Sequence, residues 1–305
     1  MTVLVTGATG FLGKRVCKLL DQRGISYVPT SLSLGLDLRE RSATIAYFEK
    51  LRPSVVLNCA SFVGGIQFGM KFPADIFANN IQMIGNLFAA SHAAGVKRIV
   101  NPISNCVYPR AKTLFKEDEI WDGALDQSVM IYGLLRKLSW AGGWSYAKQH
   151  GLETINLVLS NMYGPEDHFE EERSHALGAL VMKFAKARAA GAPNVVVWGT
   201  GSPVREWLYV DDGARAMIEG MSCVATADFV NVGVASGISV RDLAIMIRDK
   251  IGYEGEIVLD TSKPDGAPYK TVDGRRGELL LGWAPTIGLE EGLETTIRWY
   301  AENML

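Results

Sequence analysis

The stretch Val3-Leu4-Val5-Thr6-Gly7-Ala8-Thr9-Gly10-Phe11-Leu12-Gly13 decides the fold. An apolar run leads directly into three glycines at every third position, and an amphipathic stretch from 11 to 23 follows. That order has a physical reason. Without Cβ atoms the turn between strand and helix can approach a pyrophosphate closely, and the helix N-terminus meets it with N–H groups and a positive dipole end. A plain tight turn also uses glycine, so the triplet counts because of its setting between a strand and a helix.

Outward from this turn, short β-branched runs alternate with longer amphipathic ones. Strands are expected at Val3 to Thr6, Ser26 to Thr30, Ser54 to Cys59, Arg98 to Ile103 and Thr154 to Leu159, with helices near 11–23, 40–52, 73–95 and 128–150. Repeated βα units of this kind predict an α/β fold, a Rossmann-type doubly wound parallel sheet. After Tyr163-Gly164-Pro165 the regularity fails. Short strands near 195–198, 206–210, 229–232 and 256–259 mix with helices near 174–190, 211–223, 239–252 and 289–303. The reading is a dinucleotide-binding domain of 1–162 plus about 206–235, and a smaller, partly interleaved α/β substrate domain of about 163–205 plus 236–305.

The 305 residues are 48% hydrophobic and 21% charged, with a net charge of -2 and scattered basic residues, which argues against a nucleic-acid partner. No run of about 18 apolar residues predicts a membrane span. The opening residues enter a strand at once, so a cytoplasmic protein is expected. Cys17, Cys59, Cys106 and Cys223 are far apart without metal-ligand spacing, which predicts free thiols and no metal site.

The end of the second strand reads Val28-Pro-Thr-Ser-Leu-Ser33, where an acid would bind the ribose 2′-hydroxyl of NAD. Its absence favours NADP, with NAD still open. No arginine stands there for a 2′-phosphate, leaving Lys14 and Arg15 as substitutes. Asp37 could meet the adenine edge or simply cap the helix near residue 40. Ser104 follows the fourth strand, and Tyr132 opens the next long helix with a cation, Arg136, four residues on, so tyrosine and cation share a helix face. Lowering a phenol from about 10 to about 7 takes roughly 4 kcal/mol, within reach of a unit charge about 4 Å away.

More specific segments are Val63-Gly-Gly-Ile66, Pro73-Ala-Asp75, Ser104-Asn-Cys-Val-Tyr-Pro109, Asn161-Met-Tyr-Gly-Pro165, Ser174-His175, Pro193 to Gly199, Arg205-Glu-Trp-Leu-Tyr-Val-Asp-Asp212 and Lys263-Pro-Asp-Gly266. With the glycine-rich turn and the YxxxK-like element, they make the chain resemble the extended short-chain dehydrogenase/reductase family. In order and spacing, over nearly the whole length, they are most similar to the GDP-L-fucose synthases. Those enzymes use NADPH to convert GDP-4-keto-6-deoxy-D-mannose to GDP-L-fucose, epimerising C3 and C5 before reducing C4.

The resemblance implies that Ser104 polarises the ketone, Tyr132 protonates it, Cys106 is the epimerisation base and His175 the acid. It implies a cofactor site at Gly7, Thr9, Gly10, Phe11, Leu12, Gly13, Asp37, Leu38, Ala60, Asn80, Tyr132 and Arg136. It also implies a GDP-sugar site at Asn161, Val181, Trp198, Arg205, Lys263 and Lys270. Read without it, Cys106 is more often a small core residue than a base and His175 a helix-start surface residue, while Asn80 is equally an ordinary polar helix position and Arg205 has the alternative of a salt bridge to Asp211 or Asp212. A homodimer through the helices near 73–95 and 128–150 is a further family expectation.

One position departs from the pattern. The sequence is Tyr132-Gly-Leu-Leu-Arg136-Lys137, with arginine where the family has lysine. Lys137 is rotated about 100° away on a regular helix. Arg136 therefore leaves three readings open: a working reductase, an epimerase without efficient reduction, or a cofactor-bound binding or regulatory relative. Asn105 and Gly133 are also unusual beside the active positions.

Overall fold

The alternation of short β-branched runs and amphipathic stretches produces stacked βα units in the computed structural model, which describes residues 2–110, 113–170, 173–226, 228–263 and 265–305. Pro264, within the segment 263–266, lies outside the described residues. In chain order the elements are β1 (Val3–Thr6), α1 (Phe11–Gln22), β2 (Tyr27–Thr30), α2 (Arg41–Leu51), β3 (Val55–Asn58), α3 (Ile66–Lys71), α4 (Pro73–Ala93) and β4 (Arg98–Ser104). Next come α5 (Met130–His150), β5 (Glu153–Leu159), β6 (Asn161–Tyr163), α6 (Ala176–Ala190), β7 (Asn194–Trp198), β8 (Val204–Arg205) and β9 (Trp207–Tyr209). The chain finishes with α7 (Val210–Glu219), β10 (Phe229–Val232), β11 (Ile238–Ser239), α8 (Val240–Ile251), β12 (Glu256–Asp260), β13 (Tyr269–Lys270), α9 (Arg275–Leu281) and α10 (Leu289–Met304).

Six strands form one parallel sheet in the order β10-β5-β4-β3-β1-β2. The expected doubly wound architecture is the one that forms. Its order reverses between β1 and β3, so their C-terminal ends border the crevice where such sheets hold ligands. Every residue of β1 and β3 is buried, as continuous apolar runs covered on both faces should be. One face packs on α1 and α7, the other on α2 and α4. A polar thread also crosses the sheet: Thr6 donates to Asn58 at 2.7 Å, and Asn58 to Asn101 at 3.1 Å.

Beyond β5 the chain adds a parallel pair β6-β9, a parallel pair β7-β12 and a small sheet β11-β8-β13. A separate apolar cluster, with Phe184, Val197, Leu243 and Tyr300, holds α6, α8 and α10 to these strands. Among the described residues no helix is long and apolar enough to cross a membrane.

Candidate active site

The glycine turn is as tight as its composition implies. Gly7 adopts a positive φ of 62°, and a Cβ there would lie 2.6 Å from the backbone of Cys59 and Ala60; one on Gly13 would lie 2.1 Å from the Gly7 carbonyl. Gly10 donates to that carbonyl at 3.0 Å. The end of β1, the start of α1 and Ala60 after β3 therefore meet at one point. Gly10 caps α1 without a side chain, so no side chain covers the first-turn N–H groups. This backbone cradle fits a dinucleotide pyrophosphate. Phe11 and Leu12 pack toward the core, leaving their main chain as the part that can contribute.

At the end of β2, Thr9, Ser31 and Ser33 form a triangle of hydroxyls with all three oxygen separations at 3.0 Å. The two expected cationic substitutes are already engaged. Lys14 reaches Glu166 at 2.6 Å, while Arg15 is buried on the Pro165 carbonyl at 2.9 Å and pairs with Glu166 and Asp211. Asp37 is taken as well: Arg39 binds both its carboxylate oxygens, at 2.6 to 3.0 Å, and holds it below the usual carboxylate range. It neither caps α2, whose N-cap is Glu40, nor presents an unpaired carboxylate to adenine. Leu38 is buried, with its carbonyl bonded to Asn86.

The residues expected to carry the chemistry converge where β4 ends. Ser104 accepts the Cys106 N–H at 3.3 Å, which leaves its own hydroxyl proton available. Lys270, from β13, donates to the Cys106 sulfur at 3.5 Å. Tyr132 accepts the Gly64 N–H at 3.2 Å, and Arg136 donates to Ser61 at 2.6 Å. Gly65 donates to the Arg173 carbonyl at 3.0 Å, so the 63–65 turn stitches Tyr132 to the segment bearing His175. The unusual Gly133 also has a reason, because a Cβ there would come 2.4 Å from the Cys106 carbonyl.

Two proton affinities at the centre are shifted by burial. Burial pushes the Tyr132 phenol up to about 12, and the Gly64 N–H, Arg136 and Arg173 only partly oppose it. His175 stands at the N-cap of α6, and loss of surrounding water, then Lys270 and His168, hold its imidazole below its ordinary value. His175 is therefore neutral near pH 7 rather than a standing acid.

Around this centre, Arg205 is buried and donates to the carbonyls of Val204 at 2.9 Å and Asp265 at 3.3 Å. The salt bridge to Asp211 or Asp212 does not form, since Asp212 binds Arg215, Thr286 and Ile287 and Asp211 faces Arg15. Asn161 donates to the Glu206 carbonyl at 3.0 Å. Trp198 is partly exposed, with the Lys263 ammonium 5.2 Å from its ring centre. Val181 is 0% exposed inside the α6 cluster, so it cannot line a base pocket. Lys137 faces away as expected, donating to Ile120 and lying 4.3 Å over Trp121.

The model of the NAD dependent epimerase/dehydratase family matches residues 3–233. A probable GDP-L-fucose synthase 1 of Oryza sativa subsp. japonica is 37% identical over 305 residues, covering 99% of this chain and 93% of the relative. The chain belongs to the NAD dependent epimerase/dehydratase family. Among solved members, a GDP-6-OMe-4-keto-L-xylo-heptose reductase from C. jejuni superposes with a TM-score of 0.92 at 26% identity, covering 99% of this chain and 97% of that one. A GDP-L-fucose synthetase from Naegleria fowleri bound to NADP gives 0.88 at 29% identity, with 99% and 94% covered. Family membership makes the chain a nicotinamide-dependent epimerase/reductase of sugar nucleotides.

Within that family frame, five residues at the centre were not singled out from the sequence as contributors. Ser61 holds Arg136, Gly64 and Gly65 form the stitch, and Arg173 stands near the phenol. Glu206, 0% exposed, takes backbone N–H groups from Val234, Ala235 and Val272 and so fixes the strands that carry Arg205 and Lys270. The turn Val63-Gly-Gly-Ile66 carried a signal, since adjacent glycines mark close backbone approach. Ser61 carried none.

Proposed function

We propose that the chain uses NADPH to reduce the C4 ketone of a GDP-4-keto-6-deoxy sugar, with epimerisation at C3 and C5 ahead of the reduction. The contact from Lys270 to Cys106 carries this reading, because it joins a phosphate-binding cation to the loop bearing the reacting groups. Lys270 and Arg205 are neighbours in the parallel pairing of β13 with β8, and two adjacent cations suit a diphosphate. Trp198 and Lys263 offer a flat face and a charge to the guanine.

Ser104 donates its hydroxyl proton to the ketone oxygen and acidifies the neighbouring C–H groups. Cys106 takes a proton from such a carbon. His175 takes up a proton when the negative diphosphate stands beside it and Lys270, and it returns that proton to the opposite face. When bound, NADPH supplies the hydride for C4. Tyr132, protonated throughout the neutral range, gives its proton to the developing alkoxide. Arg136 keeps a positive charge beside it, which favours the working reductase among the three readings.

NADPH over NADH is supported by the carboxylate-free end of β2 and its three hydroxyls. A homodimer is supported by exposed apolar residues at helical spacing, Phe77 and Ile81 on α4 and Met130, Leu134 and Leu138 on α5. The test follows absorbance at 340 nm with NADPH and GDP-4-keto-6-deoxymannose, and deuterium uptake from solvent at C3 and C5. Oxidation of NADPH that Tyr132→Phe abolishes is expected, with label that Cys106→Ala abolishes. Wild type inert in both assays defeats the reading.

A further inference from the structure

Arg136 makes one side-chain hydrogen bond among the described residues, from Nη2 to the Ser61 hydroxyl at 2.6 Å. The guanidinium can only donate, and the orientation of the hydroxyl that accepts is set from a distance. Asn80, 5% exposed on α4, donates its amide nitrogen to the carbonyls of Ile76 at 2.7 Å and Phe62 at 2.8 Å. Its oxygen must then accept, and it does so from the Phe62 N–H at 3.1 Å and from the Ser61 hydroxyl at 3.0 Å. With its single proton committed to Asn80, Ser61 can offer Arg136 only lone pairs. The chain from α4 thus ends in an obligate acceptor facing a cation.

This matters because of the departure from the family pattern. An ammonium is a compact point charge with three rotatable donors, whereas a guanidinium is a rigid plane whose donors move together. Anchoring Nη2 sets that plane, and with it the direction in which Nη1–H and Nε–H remain available to a ligand. The cation is close enough to matter chemically, since it lowers the proton affinity of Tyr132.

We propose that Ser61 is a positioning residue: held by Asn80, it orients Arg136 so that arginine can serve the dinucleotide where the family has lysine. The proposal rests on the reading that Arg136 serves NADPH, but not on the identity of the sugar. Ser61 acts through Arg136, so its effect must vanish when the guanidinium is gone.

The experiment measures NADPH affinity by fluorescence titration, without sugar, for the whole chain as wild type, Ser61→Ala, Ser61→Thr, Arg136→Met and the Ser61→Ala/Arg136→Met double variant. Ser61→Ala is expected to weaken binding roughly tenfold, the scale of one hydrogen bond to a charged group. In the Arg136→Met background the same change should alter affinity by less than about twofold. Ser61→Thr, which keeps the acceptor, should stay within about twofold of wild type. Equal losses in both backgrounds would show that Ser61 serves only its own loop and would overturn the proposal. So would an unaffected Ser61→Ala, a Ser61→Thr as weak as Ser61→Ala, or a wild type that binds no NADPH. A wild type that binds NADPH yet turns over no GDP-4-keto-6-deoxy sugar defeats the proposed function alone, and the binding cycle still decides this point.

Discussion

Lys270 and Cys106 are 164 residues apart in sequence, and the lysine ammonium donates to the cysteine sulfur at 3.5 Å. The lysine is buried and sits beside Arg205, so one charge faces both the anion-binding strands and the reacting loop. Lys270→Met should therefore cut deuterium incorporation at C3 and C5 roughly tenfold, as expected for losing one charge-assisted contact. NADPH affinity should stay within about twofold, because among the described residues Lys270 makes no hydrogen bond to the glycine turn, Ser61 or Arg136. Unchanged labelling in the variant would separate Lys270 from epimerisation.

The hydroxyl triangle of Thr9, Ser31 and Ser33 leaves the end of β2 without a negative charge. Ser31→Asp places a carboxylate where an NAD enzyme carries one, to accept from a ribose 2′-hydroxyl and repel a 2′-phosphate. NADPH binding should weaken at least about tenfold while NADH binding strengthens, both read by fluorescence titration. Equal weakening of both nucleotides would mean that the triangle does not read the 2′-position.

Legibility followed range along the chain. The units from β1 to β5 announce themselves because each strand is a local apolar run and α1, α2, α4 and α5 are each stretches of more than ten residues. α3 and α9, six and seven residues long, are too short for a period to emerge. The two-residue strands β8, β11 and β13 exist only because distant segments pair, so no local pattern carries them. The site divides in the same way. Tyr132 and Arg136 share a helix turn and could be read together, whereas Ser61 reaches Arg136 only through the fold. Val181 and Leu38 came from resemblance alone, and Val181 is wholly enclosed in the α6 cluster.

Gly65 sits under the segment that carries His175. A Cβ on it would lie 2.3 Å from the Ser174 carbonyl, with the Arg173 carbonyl 3.7 Å away. Gly65→Ala must push that segment away from the turn that also touches Tyr132. Overpacking of this kind costs about 1–3 kcal/mol. The expected outcome is a fall in kcat of at least about tenfold with NADPH affinity preserved, checked by steady-state kinetics and a binding titration. A variant with wild-type kcat would show that the contact can relax harmlessly.

Asp167 is 9% exposed, and loss of water pushes its carboxyl up to about 7, with Glu170 adding to the rise and the His168 N–H opposing it. The folded value exceeds that of the unfolded chain, so between the ordinary aspartate range and about pH 7 the folded chain binds more protons. Its contribution to stability is therefore present on the acid side and lost as pH rises through 7. The difference amounts to at most about 4 kcal/mol. Melting temperatures from pH 5 to 8 should fall for wild type relative to Asp167→Asn, whose side chain cannot ionise. Parallel pH profiles for the two proteins would contradict this assignment.

Tyr132 must deliver a proton, and burial holds that proton with an affinity of about 12. For a group that acts protonated, raising the value moves the alkaline limb of the rate profile upward. The profile of kcat/KM for ketone reduction should accordingly stay flat from neutrality to about pH 9, apart from limbs that Tyr132→Phe retains. Tyr132→Phe itself should lower kcat by at least about a hundredfold, the usual reach of a positioned general acid. Arg136→Met removes one of the influences that lower the phenol, so it can only move the limb further up. A wild-type limb near pH 7 that disappears in Arg136→Met would instead mean that the guanidinium, once ligands are in place, dominates burial. In that case the acid would operate as the short spacing between tyrosine and cation first suggested, and the high resting value would belong only to the ligand-free chain.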